Sequence, residues 1–123
     1  MLRCAYPATY QGRLSSQGSK YDSALDKINF DISGISSEGL VGPPDGLRAI
    51  SYEFCIPAND RALAEVQAIE PNIEYYSRIR GRIGCRNDQY LCIGNTHNPR
   101  WKEILLSIAR LEYVEKINQF YGE

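Results

Sequence analysis

The residue types best suited to chemistry collect in two short stretches of this chain. The first is Gly94-Asn95-Thr96-His97-Asn98-Pro99-Arg100, which holds the only histidine. An imidazole titrates near neutrality, so His97 is the candidate acid or base. Asn95, Thr96 and Asn98 supply donors and acceptors beyond what a tight turn requires. Arg100 would sit in the first turn of a following helix, whose free N–H groups attract anions. The second stretch, Arg78-Ile79-Arg80-Gly81-Arg82-Ile83-Gly84-Cys85-Arg86, carries four arginines and no acid. The arginine fork matches carboxylate and phosphate. Asn95, Thr96, His97, Asn98, Arg100, Arg80 and Arg82 are therefore the expected ligand-binding residues, lining one pocket between the turn and the arginine stretch.

Other chemistries fit less well. Tyr75, Tyr76 and Tyr90 beside the arginines are the ingredients of single-strand RNA recognition. Tyr90-Leu91-Cys92-Ile93-Gly94-Asn95 looks like the first RNP motif of RNA-recognition domains, but too little chain follows to build the rest of such a domain. A net charge of −1 gives no global attraction to nucleic acid or an acidic membrane. Cys85 as a nucleophile would need a base such as His97 beside it. Glu53 and Glu74 are acids that neighbouring strands would bring together. Cys85, Cys92 and His97 lack the close ligand pairs of a zinc site, and no metal or cofactor is expected.

The elements that must position these residues follow from periodicity. Ile50, Tyr52, Phe54 and Ile56 alternate with Ser51, Glu53 and Cys55, so the strand has one apolar and one mixed face. Asn59 or Asp60 caps a short helix with Leu63, Val66 and Ile69 on one side. Ile73-Glu74-Tyr75-Tyr76 has strand composition. If Arg78 to Ile83 is extended, it puts Arg78, Arg80 and Arg82 on one face. Tyr90-Leu91-Cys92-Ile93 is a strand. Asn98 as N-cap and Pro99 at the first helical position then start a helix with Trp101, Ile104, Leu105 and Ile108 inward.

The stripe Tyr113, Val114, Ile117, Phe120 and Tyr121 points away from the one on that helix, which favours a terminal strand over 113–121. Strand, polar turn, helix and strand thus occur twice, and both first strands contain Cys-Ile. The fold class expected is α+β, a ferredoxin-like βαββαβ plait over 47–121 with two helices on one sheet face. Residues 1–46 form an extension, in which Leu2 to Tyr10 and Ile28 to Ile32 pair as a hairpin. Pro43-Pro44-Asp45-Gly46 marks a turn.

A chain of 123 residues is expected to be one domain. Its 43% hydrophobic and 24% charged content is that of an ordinary globular protein, and its apolar runs are too short to span a bilayer. With no apolar core of signal-peptide length near Met1, a cytoplasmic protein is expected, and its four cysteines as reduced thiols. The nine tyrosines suit pocket walls and subunit interfaces. Tyr52, Tyr75, Tyr90 and Tyr113 are placed partly on the sheet face that the helices leave open, where a second subunit would cover them. The function read from the sequence is a self-associating module, a homodimer, that binds a small polar or anionic ligand. The alternatives are a cofactor-independent enzyme on a dimeric α+β barrel using His97, and a nucleic-acid module using Arg78 to Arg86.

Overall fold

Alternating sequence forms strands here where the alternation is strongest. The computed structural model describes residues 24–121. Within them lie β1 (Leu40–Val41), β2 (Arg48–Ala49), β3 (Ser51–Pro57), α1 (Asp60–Ile69), β4 (Glu74–Tyr76), β5 (Gln89–Asn95), α2 (Trp101–Ala109) and β6 (Asn118–Phe120), after a helical turn at 24–26. β1 and β2 form a small antiparallel ladder closed by a turn in which Gly46 N–H donates to the Pro43 carbonyl at 2.8 Å. The other four strands form one sheet in the order β4-β5-β3-β6, with every neighbouring pair antiparallel. This is an α+β domain with two antiparallel sheets. None of its described helices is long and apolar enough to cross a membrane.

The core lies between the larger sheet and the two helices. Tyr52, Phe54 and Ile56 of β3 and Cys92 of β5 point one way and are buried against Ala62 and Val66 of α1 and Ile104, Leu105 and Ile108 of α2. α1 begins where Asn59 Oδ1 accepts the Ala62 N–H at 2.8 Å, a side-chain cap of the usual kind. Ser51, Glu53 and Cys55 face the other side, with Leu91, Ile93 and Tyr76 in register beside them.

Several expectations are corrected. Ile28 to Ile32 does not form a strand. Among the described residues its one ladder contact is a parallel bridge from Ile28 to Ile117, and Asp31 Oδ1 then takes the Ser33 N–H and hydroxyl and turns the chain away. The supposed partner at residues 2–10 lies outside the described residues. The arginine stretch is not extended either. Gly81 and Gly84 adopt positive φ (69° and 82°) and curl the chain into successive turns.

Helix α2 starts at Trp101, so Asn98 and Pro99 belong to a preceding turn, where Asn98 Oδ1 accepts the Arg100 N–H at 2.7 Å. The last strand is shorter than 113–121: residues 111–117 are irregular and bury Val114 and Ile117, and only β6 pairs with β3. Tyr52 is in the core, not on the open face, and Tyr75 packs at a tilt against Tyr90 on the helix side, ring centroids 5.3 Å apart. The reduced-thiol expectation also fails for two cysteines. Cys55 and Cys85 form a disulfide across a separation of 30 residues, because the curled arginine loop brings Cys85 back over β3.

Candidate functional site

The turn after β5 is built mainly to hold the fold together. Thr96 is fully buried; its Oγ1 accepts the Ile50 N–H at 2.9 Å and donates to the Gly39 carbonyl at 2.7 Å. The Trp101 indole N–H donates to the Ser36 carbonyl at 2.9 Å, so residues 36–40 are clasped onto the start of α2 from two sides. Asn95 Oδ1 accepts the His97 N–H. Arg100 spends its Nε on Glu103 at 2.8 Å, an exposed pair worth at most about 1 kcal/mol. What remains open is a cleft of about 290 Å³ lined by Glu70, Asn72, Gly94, Asn95, His97 and Asn98. Its titratable groups are His97, which is exposed, and Glu70, whose Oε1 already accepts the Asn72 N–H. Below it, burial, reinforced by the charge of Glu70, holds the Tyr52 hydroxyl well above the usual tyrosine range.

The arginines do not join this cleft into one pocket. Arg80 Nε donates to the Cys85 carbonyl at 2.9 Å inside its own loop, and Arg86 pairs with Asp88. Cys85, being in a disulfide, is not a thiol poised for attack beside His97. Glu53 and Glu74 share a row of the sheet but lie on opposite sides of Ile93, about 10 Å apart by strand spacing. Among the described residues no group of three His, Cys, Asp or Glu side chains is placed to hold a metal ion.

The open sheet face offers a different arrangement. Residues 77–88 arch over it, with Ile83 and Cys85 buried against Leu91. Between this roof and the sheet runs a groove of about 330 Å³. Leu91 and Ile93 form its floor, Tyr76 and Phe120 flank it, and Ile79, Gly81 and Arg82 make the rim. Of the residues expected to bind ligand, Arg82 is the one that reaches this groove.

Glu53 stands behind its wall, opposite Ile93 on one side and Asn118 on the other. It is 1% exposed, and its Oε1 is buried without a hydrogen-bond partner. A Cβ on Gly81 would lie 2.5 Å from that oxygen, so a larger residue there would push the carboxyl aside. Burial raises the pKa of the carboxyl, and the Arg82 charge and the Ile83 N–H offset this only in part. A buried, incompletely satisfied acid beside a groove is a common mark of a functional site.

The shift has a defined sign. A folded-state pKa above the unfolded one means that the folded chain keeps a proton the unfolded chain has released. Ionisation of Glu53 therefore costs the fold nothing below the unfolded pKa of about 4.3, and that cost grows as pH rises through the folded value. Urea unfolding of the native chain and of Glu53→Gln over a pH series should show the native chain losing ground as pH rises from the acid side. Parallel curves would mean that Glu53 ionises as freely folded as unfolded.

Sequence reasoning reached Glu53 only as a possible partner of Glu74. The usable signal was the mixed face Ser51, Glu53 and Cys55, an odd set for a strand side to be left in water. Comparison of the chain with protein-family models, with curated proteins and with solved structures finds no match.

Proposed function

We propose that this chain is a small-ligand binding domain on a ferredoxin-like plait, and that the open-face groove takes a small anion with an apolar body. The strand order supports the plait. β3-α1-β4 and β5-α2-β6 are two strand–helix–strand units, interleaved so that β3 and β5 are central. One observation carries the ligand reading: among the described residues the groove lining is mainly apolar and holds one charged side chain, Arg82. Its volume is in the range of small-molecule sites. A carboxylate at the rim would receive a charge-assisted hydrogen bond from Arg82, and an alkyl or aryl body would cover Leu91 and Ile93.

Self-association belongs to the same reading. Among the described residues β4 is a three-residue edge strand, and its Tyr75 and the nearby Ile79 are 45% and 54% exposed. Two such edges can pair about a twofold axis. The disulfide fits an oxidising compartment better than the cytosol.

Octanoate titrated calorimetrically tests the ligand class, with sedimentation of the same samples reading the association state. Octanoate should bind and octylamine should not, and Arg82→Gln should weaken octanoate about tenfold, or ~1.4 kcal/mol. Equal affinity in the variant, or no binding at all, would remove this reading.

A further inference from the structure

We propose that Cys55–Cys85 is a thiol-exchange site that latches the roof of the groove. A small thiol reaches the Cys55 sulfur and, by opening the bridge, frees residues 77–88 from the sheet. The effect on ligand rests on the function proposed above; the exchange and the release do not.

Three observations support the latch. The first is the length of the roof. It fills the hairpin between β4 and β5 with 12 residues, 77 to 88, where hairpin loops usually have about two to five. A connection that long, without a strand or helix of its own, needs something to hold it down.

The second is how little does so. Cys85 N–H and Gly84 N–H both donate to the Arg80 carbonyl, and Arg80 Nε returns to the Cys85 carbonyl, all within the loop. Among the described residues its links to β3 and the residue after it are the Ile83 N–H on the Glu53 carboxylate, the Ala58 N–H on the Asp88 carbonyl at the far end, and the bridge itself. Among the described residues, the middle of the roof therefore rests on one covalent bond, one buried isoleucine and what Ile83 N–H and Arg82 make with the Glu53 carboxyl. Holding it closed also keeps Glu53 Oε1 out of water with no partner, a cost that disappears when the roof lifts.

The third is access. Cys85 is 1% exposed, but Cys55 is only half-buried and lines a crevice of about 110 Å³ on the other side of the loop. Arg86, Lys116 and Glu115 also line this crevice. The two cations favour an incoming thiolate, with the single acid opposing them. Cys92 makes the contrast. It is a free thiol, fully buried and pushed up to about 12 by burial, with no surface open to an incoming thiol.

In the exchange, the thiolate sulfur bonds to Cys55 Sγ and the Cys55–Cys85 bond breaks. Cys85 leaves with the electron pair and takes a proton from water. A second thiol then attacks the mixed disulfide, and Cys55 leaves as the second thiolate. Two thiols are oxidised to one small disulfide, and the protein bridge gains two electrons and two protons.

The oxidised full-length chain treated with reduced glutathione tests this. Peptide-resolved hydrogen exchange should show the amides of Ile83, Gly84 and Cys85 losing protection at least tenfold, while β3 and β5 keep theirs. Acid quenching should trap glutathione on Cys55 and not on Cys85, an assignment that needs no variant to fold. Cys85→Ser treated with oxidised glutathione should carry the same adduct. A bridge that opens only in denaturant, an adduct on Cys85, or strands that lose protection together with the loop would each overturn the latch. Octanoate added after reduction should no longer bind. Binding as tight as before, with the loop lifted, would also overturn it. If the oxidised chain never binds octanoate, the ligand reading fails and the exchange data still decide the latch.

Discussion

Gly39→Ala is expected to lower folding stability by about 3–5 kcal/mol, a large share of the margin of a domain this size. Gly39 has φ of 86°, where an alanine pays roughly 1–2 kcal/mol. Its Cβ would also fall 1.6 Å from the Thr96 carbonyl oxygen and 2.7 Å from the carbon, and both are backbone atoms. The Thr96 backbone cannot step aside, because its N–H is bonded to Ile50 and its hydroxyl to Gly39 and Ile50. The loop must leave instead, breaking the Thr96 and Trp101 hydrogen bonds at about 1 kcal/mol each. Gly34→Ala is the control, since its added Cβ meets nothing within 4 Å. Urea unfolding that gives equal losses for the two variants would mean the clasp carries no weight.

Phe54→Ala is expected to cost about 3–5 kcal/mol. Phe54 is fully buried at the centre of the sheet, paired with Cys92 and 6.2 Å from the Tyr52 ring. Removing it leaves a hollow between two strands and two helices, none of which can collapse into it alone. Tyr75 lies across from the same Cys92 on the same face, but at the sheet edge and 45% exposed. Tyr75→Ala should cost well under half as much, mainly the contact with Tyr90. A calorimetric melt in which the two variants fall together would contradict this placement of the core.

What the sequence made legible was whatever is encoded locally. The alternation from Ile50 to Ile56 and the run Tyr90 to Ile93 are central strands, and of the two cap candidates Asn59 is the one that caps α1. α2 begins two residues later than Asn98 and Pro99 imply, because Asn98 serves a turn instead. The roof was not legible. Its shape comes from positive φ at Gly81 and Gly84 and from a sulfur 30 residues away, and neither leaves a trace in apolar periodicity. Thr96 shows the same limit. Its type suited a binding turn, yet its partners Gly39 and Ile50 lie far upstream and use it as a clasp. Arg82 was reached for its charge and Glu53 in passing. That Arg82 lines the groove and Glu53 stands behind its wall depends on long-range register, which spacing along the chain does not carry.

The Cys55–Cys85 bond also makes a closed ring of chain that contains α1 and β4. Pulled from its ends, the oxidised molecule cannot pay out that ring. At roughly 3.3–3.6 Å per residue, 30 residues amount to about 100 Å of hidden contour length. A peptide bond cut inside the ring would leave both fragments in one covalent body.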